Sequence, residues 1–336
     1  MVTYGAKSAE VFYLTCVVFW VNCGVFIVME KYAKYAHGGK LVGYNCVVLV
    51  KQVPDTKRVT GQAMNDDGTV NRAALPAIFN PEDLNALELA LDIKDQFGGT
   101  VTVMTMGLPT ATDVLRAGMF RGADQAILVT DRRCAASDTL ATSYILSCGV
   151  KKLNPDIVLC GRQAIDGDTA QVGPQLAEKL DMPQITYVED LVSLDGETIV
   201  IKRNLGNGWQ EVRGQLPVLL TVLDTANEPR VPRAKRLMKC KAAKCRMEVE
   251  KAAKEDASID VDAACKELEA KGLLIRQWDL DFLEADMQWC GRDGSPTKVH
   301  RIQSVVLAAK ESKEVEPTQD AVETMVHELI VDHTIG

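Results

Sequence analysis

Asp156-Ile-Val-Leu-Cys160, continuing as Gly161-Arg-Gln-Ala-Ile-Asp-Gly-Asp168 and then Thr169-Ala-Gln-Val-Gly173, reads as strand, loop and helix start. Past Asp156 the opening run is wholly apolar, as a strand buried on both faces of a parallel sheet has to be. In such a sheet the carboxyl end of a strand and the amino end of the next helix frame a crevice, and the backbone N–H groups there suit a phosphate. Gly161 and Gly167 let the backbone approach closely, and Asp168 has the side chain of a helix N-cap. Asp166 and Asp168 repel a phosphate, so ribose hydroxyls or backbone donors are their expected partners. On its own the stretch fits a capped turn as well as a nucleotide site.

The same grammar extends in both directions. Cys46 to Val50, Val101 to Thr105 and Ala126 to Val129 are further apolar runs separated by longer helical stretches, which predicts an α/β protein with a helix-covered parallel sheet. The best-defined helix follows Asn80-Pro-Glu-Asp83, with an Asn N-cap, Pro at the first helical position and acids in the first turn. Ala86, Ala90, Ile93 and Phe97 form one apolar stripe and Leu84, Leu87 and Leu91 a second, so this helix is expected to be buried over much of its circumference. Ile199 to Arg203 and Pro217 to Val222 add later strands, and Asn227-Glu-Pro-Arg230 reads as an exit from the core. Beyond it lie a basic stretch (Lys235 to Lys254), an acidic amphipathic one (Glu255 to Lys271), a Gly/Pro loop (Arg292 to Thr297) and a helical tail from about Asp320 to Asp332. These charged segments have no obvious place in a compact α/β core. The expected division is a hydrophobic extension at 1–44, a nucleotide-binding domain at 45–226 and a partner-recognition segment with a C-terminal arm at 227–336.

A formal charge of -8 argues against nucleic acid as a partner. The ten cysteines include no C-x-x-C pair, and the four histidines show no ligand spacing, so neither a metal site nor a disulfide framework is expected. A reducing, cytoplasmic setting follows from that cysteine usage. Val11 to Met29 is uncharged and rich in Val, Phe, Cys and Trp. It reads as sequence upstream of the true start, as a membrane anchor, or as a signal peptide.

The chain lacks the G-x-x-x-x-G-K-[ST] loop, and no G-x-G-x-x-G follows the first strand, which leaves P-loop chemistry and standard dinucleotide binding without support. What it has is a combination. Leu49-Val-Lys-Gln-Val-Pro-Asp-Thr56, Asn80-Pro81, Met106-Gly107, Arg116 with Gly122-Ala-Asp124, Asp138-Thr139 and the Gly161 to Gly173 loop resemble, in order and at matching intervals, the electron transfer flavoprotein beta subunit. Asn227-Glu-Pro-Arg230 with Met238-Lys239 resembles that family's partner-recognition segment, and Gly294-Ser-Pro-Thr-Lys-Val299 is also similar to it. The resemblance runs from about Asn45 to the C-terminus.

The resemblance implies a Rossmann-like parallel sheet of the adenine-nucleotide α-hydrolase type with a C-terminal arm that embraces an alpha subunit. It implies that Leu49, Asn80, Asp83 and Met106 surround adenosine, that backbone groups of Ala164, Gly167, Ala170, Gln171 and Val172 hold phosphates, and that Asp166, Asp168 and Thr169 complete the cofactor site. Simple members bind AMP and tend to read Asp-Asp-Asp-x-Asn-Gln-Thr-Gly where this chain reads Asp166-Gly-Asp-Thr-Ala-Gln-Val-Gly173. That version resembles the electron-bifurcating members, which implies FAD rather than AMP, NADH as electron donor, an acyl-CoA dehydrogenase as partner, and ferredoxin or flavodoxin as a further acceptor. Arg162, Gln163 and a helix N-terminus at Thr169 are then expected to stabilise charge near the phosphates. The leucine that some members insert into a dehydrogenase aligns near Ala234, with Leu237 the nearby substitute. The Ser-Gly-Gly loop of pyrophosphate-cleaving enzymes on the same fold is absent, and an AMP-binding structural or sensing module is the competing reading.

Overall fold

The computed structural model describes residues 43–55, 75–297 and 315–331. The Val11 to Met29 stretch lies outside them. In chain order the larger unit runs β1 (Tyr44–Leu49), β2 (Gln52–Pro54), β3 (Ala77–Phe79), α1 (Pro81–Phe97), β4 (Gly99–Met106), α2 (Thr112–Arg121), β5 (Gln125–Val129), α3 (Thr139–Leu153), β6 (Ile157–Gly161) and α4 (Val172–Lys179). It continues β7 (Gln184–Asp195), β8 (Thr198–Asn204), β9 (Trp209–Gln215), β10 (Val218–Val222), α5 (Ala234–Cys240), β11 (Lys244–Cys245), α6 (Arg246–Glu255), α7 (Val261–Ala270) and β12 (Leu274–Trp278).

One sheet of ten strands organises this unit, in the order β11-β12-β5-β4-β1-β6-β10-β7-β8-β9, while β2 pairs with β3 separately. From β11 to β7 all neighbours are parallel, and β8 and β9 close that edge as antiparallel strands. The expected α/β fold with a Rossmann-like, mostly parallel sheet is therefore what the chain adopts. The central strands are apolar on both faces because helices cover both. Val48, Val103 and Leu159 pack with Ala86, Leu87 and Leu115 of α1 and α2 on one side, and Val47, Met104 and Val158 pack with Ile145, Val150 and Leu176 of α3 and α4 on the other.

Beyond β1 the chain crosses to β4 on one side, and β6 lies on β1's other side, so the strand order reverses at the β1/β6 seam. Open α/β sheets bind ligands at such a seam, beyond the carboxyl ends of the strands. The segment past Asn227 returns to the sheet: β12 pairs with β5 through Arg276↔Ile127 and Trp278↔Val129, and β11 adds to it. Cys245, Ile275 and Trp278 are buried there, so part of this charged region does have a place in the core.

The smaller unit comprises the described parts of 54–77 and 297–336. It contains an Asp55 N–H to Pro76 carbonyl bond of 2.8 Å and α8 (Gln319–Val331), close to the expected helical tail. Val322, Val326 and Ile330 recur every fourth residue on α8, and all are exposed. His327 on the same helix is exposed too, while His333 lies outside the described residues. Among the described residues no helix is long and apolar enough to cross a membrane.

Candidate functional site

The site begins with the first turn of α1. Pro81 occupies the first helical position as expected, but the Asn80 side chain does not cap the helix. It reaches across instead. Its Nδ2 donates to the Gln163 carbonyl at 2.9 Å, and its Oδ1 accepts the Ile165 N–H at 3.1 Å. Glu82 accepts the Gln163 N–H at 2.8 Å and pairs with Arg162 at 2.7 Å. Asp83 accepts the Lys51 N–H at 2.8 Å and the Gly161 N–H at 3.0 Å, one on each carboxylate oxygen. Three polar side chains within four residues are thus spent on fastening the ends of β1 and β6, and the loop after β6, to one helix terminus.

Burial of Asp83 pushes its carboxyl up to about 7, with the nearby charge of Glu82 adding to the rise and the Asn80, Lys51 and Gly161 donors opposing it. Burial likewise raises the Cys160 thiol, helped by Asp83 and Glu82, so this cysteine stays protonated. The Arg162 guanidinium, expected to face phosphates, is committed to Glu82.

Gly161 is required by packing. A Cβ there would lie 2.6 Å from Asp83 Oδ1 and 2.9 Å from the Asp83 backbone nitrogen. Its glycine serves the approach of α1 rather than of a ligand. Gly161→Ala is expected to push the first turn of α1 off β6 and to cost about 1–3 kcal/mol, as overpacking does. A urea titration read by circular dichroism checks this, and an unchanged midpoint would show that the turn yields freely.

The loop after β6 departs from the sequence reading at one point. Asp168 does not cap a helix starting at Thr169: its φ is +49°, in the left-handed region, and α4 starts at Val172 with Gln171 as N-cap. Pro174 sits comfortably in that first turn, where no N–H is needed. Ala170 is also left-handed, at φ +52°. The Gly167 and Asp168 N–H groups turn inward to the Ala164 carbonyl at 3.3 and 2.9 Å. By contrast, within the described residues no acceptor takes the N–H groups of Thr169, Ala170, Gln171 or Val172. Backbone of this kind, with left-handed residues interspersed, forms an anion-binding concavity. Among the described residues, a Cβ on Gly167 would meet nothing within 4 Å, so space is open at that position.

The twelve residues expected at the site fall into two groups at the carboxyl edge of the sheet. Leu49 and Met106 sit at the ends of β1 and β4 against the cluster formed with α3 and α4. Asn80, Asp83 and the Ala164 to Val172 loop form the polar group. Of these, Gly167, Asp168, Thr169 and Gln171 are exposed, and Asp168 accepts from Gln163 Nε2 at 3.1 Å. Sequence reasoning overlooked Glu82, the Lys51 side chain and Thr139, whose hydroxyl donates to Gln171 Oε1 at 2.8 Å. Glu82 had carried a signal, as an acid in the first turn, but that position reads equally as a helix-dipole partner. A groove of about 280 Å³ lined by Leu140, Pro174, Gln175, Glu178 and Lys179 lies along α3 and α4 and includes none of the twelve. Among the described residues no His, Cys, Asp and Glu group has the arrangement to hold a metal ion.

The segment 224–230 is fastened to α1 further along. Asn85 Nδ2 donates to the carbonyls of Asp224 and Asn227 at 3.2 and 2.7 Å, and Asn227 Nδ2 returns a bond to the Asn85 carbonyl at 3.0 Å. Arg230 spreads its guanidinium over Glu88, Asp92 and Asp95 at 2.9, 2.9 and 2.8 Å.

Comparison with known proteins agrees with this architecture. The electron transfer flavoprotein domain family matches residues 67–257. The electron transfer flavoprotein subunit beta of Clostridium acetobutylicum is 40% identical over 291 residues, covering 87% of this chain and 100% of that protein. The caffeyl-CoA reductase-Etf complex subunit CarD of Acetobacterium woodii is 48% identical over 186 residues, 55% of this chain and 70% of its own length. The acryloyl-CoA reductase electron transfer subunit gamma of Anaerotignum propionicum is 47% identical over 197 residues, 57% of this chain and 73% of its own. With a family domain across more than half of the chain and a beta subunit matched along its whole length, this chain belongs to the electron transfer flavoprotein beta subunits, which pair with an alpha subunit.

Proposed function

We propose that this chain binds FAD at the carboxyl edge of its sheet and that, with its alpha subunit, it oxidises NADH and divides the electrons between an acyl-CoA dehydrogenase and ferredoxin or flavodoxin. The observation that carries the nucleotide part is the run of N–H groups from Thr169 to Val172 without an acceptor among the described residues, beside the open space at Gly167. Those amides would hold phosphate, while Asn80, Glu82 and Asp83 keep the loop at a fixed height above the sheet. Leu49 and Met106 supply an apolar wall for adenine, and Asp166, Asp168 and Thr169 line the exposed rim. FAD, when bound, supplies the hydride acceptance and electron release, and the chain supplies position and charge. No side chain of the chain needs to act as a general acid or base.

Two relatives carry names that place them with reductases of CoA esters, which favours a dehydrogenase acting on acyl-CoA as the partner here. The exposed Val231, Leu237 and Met238 around α5, amid Arg233, Lys235, Arg236 and Lys239, offer that partner an apolar and basic surface. Helix α8, with its exposed row of Val322, Val326 and Ile330, fits the arm that embraces the alpha subunit.

Flavin and nucleotide analysis of the co-expressed heterodimer tests the proposal. A second flavin and little AMP are expected, and Gly167→Glu is expected to remove that flavin and NADH oxidation together, by placing bulk and negative charge in the open space. A single flavin with stoichiometric AMP, and no direct reaction with NADH, would return the protein to a simple electron carrier.

A further inference from the structure

Among the described residues, Lys51 brings to this site a cation whose role rests on the nucleotide reading above. Lys51 directly follows β1, and both polar atoms of its main chain are fixed. Its N–H donates to Asp83 at 2.8 Å, and its carbonyl accepts the Asn80 N–H at 3.0 Å. Only the side chain is left to move. Its ammonium donates to both carboxylate oxygens of Asp166 at 2.7 and 2.8 Å, and the lysine side chain is 50% exposed against 24% for its partner.

The electrostatics of the loop favour a positive charge there. Asp166 and Asp168 lie immediately before the open amides of Thr169 to Val172, and both repel an anion seated on them. Arg162, the neighbouring cation, is already held by Glu82 at 2.7 Å. Lys51 neutralises Asp166 from a fixed base with a flexible stem. A half-exposed lysine–carboxylate pair is weakly held, whereas a phosphate offers more negative charge and three acceptor oxygens. A compact ammonium with three rotatable donors can turn from one to the other without moving the clamped backbone.

We propose that Lys51 is the phosphate-reading cation of this site, exchanging the Asp166 carboxylate for the phosphate of an adenine nucleotide seated on the Thr169 to Val172 amides. It discriminates phosphorylated from unphosphorylated adenosine, and Asp166 competes with the ligand for it.

Equilibrium dialysis of the co-expressed heterodimer, after release of any FAD held at this site, against labelled AMP and labelled adenosine, at low and high salt, tests this with Lys51→Met and Asp166→Asn. Lys51→Met is expected to weaken AMP roughly 10- to 100-fold, the worth of one charge-assisted hydrogen bond, to flatten its salt dependence and to leave adenosine unchanged. Asp166→Asn, which breaks the same ion pair, is expected to strengthen AMP by freeing the lysine. Equal weakening of AMP and adenosine by Lys51→Met, or equal weakening of AMP by both variants, would make the pair a loop latch and overturn the proposal. So would AMP binding that ignores Lys51→Met. If the wild-type heterodimer takes up neither AMP nor adenosine and holds no FAD at this site, the nucleotide reading itself falls, and the role of Lys51 with it.

Discussion

Asp83→Ala is expected to destabilise the protein by about 2–5 kcal/mol at mildly acidic pH, because it strands two buried donors at once. The Lys51 and Gly161 N–H groups both end on this carboxylate, at 2.8 and 3.0 Å, and Asp83 itself is 6% exposed, so water cannot take its place. Each stranded donor costs about 1–3 kcal/mol, against a total stability of about 5–15 kcal/mol for a typical domain. The pH dependence has a definite sign. Burial raises the folded-state carboxyl to about 7, above its ordinary value of 3.8. The protonated form is therefore favoured by folding, and the stabilisation that Asp83 brings is full below about pH 4 and is lost as pH rises through 7. The gap between wild type and Asp83→Ala should narrow over that window in urea titrations. A gap that widens with pH would mean that the ionised carboxylate is the stabilising species.

Arg230→Met should destabilise by about 2–4 kcal/mol, between the values for exposed and buried ion pairs. The guanidinium is 19% exposed and faces Glu88, Asp92 and Asp95, and its backbone N–H also donates to Glu88 at 2.8 Å. Without it, three carboxylates on successive turns of one helix lose their shared counter-charge. Burial already pushes Asp92 up to about 6, with the charges of Glu88 and Asp95 adding to the rise and Arg230 opposing it. Its stabilisation in the wild type is therefore present below about pH 4 and lost as pH rises through 6. Removing Arg230 raises that value further, so the deficit of the variant should be smallest near pH 4–5 and grow toward neutrality. Melting temperatures across that range, with hydrogen exchange of residues 224–240, measure both effects. A deficit independent of pH would assign the loss to packing of the arginine stem.

The parallel strands were legible because burial on both faces leaves nothing but apolar residues in Val47-Val-Leu49, Val101, Val103, Ile127-Leu-Val129 and Ile157-Val-Leu159. Two strands further out in the sheet were not. β12 reads Leu274-Ile-Arg-Gln-Trp278 with Arg276 exposed, and β7 buries every third residue, Ile185, Val188, Leu191 and Leu194, patterns that a surface helix or loop also produces. The start of α4 was misplaced for a local reason: Asp168 has cap chemistry, and only the backbone reveals that its φ is positive. The polar half of the site escaped for a non-local one. Asn80 and Glu82 act on partners about eighty residues away, and no spacing in a single sequence encodes such a meeting.

Helix α1 acts as a camshaft. Asn80, Glu82 and Asp83 bear on the sheet edge and the phosphate loop, while Asn85, Glu88, Asp92 and Asp95 bear on the 224–230 segment that leads to α5. Each residue advances the helix by about 100°, so the two sets of lobes are fixed in phase by the count of residues between them. Drift can exchange the apolar residues of the shaft, but deleting one residue within it would swing one set about a quarter turn out of step with the other. Length, more than composition, is what this helix has to keep.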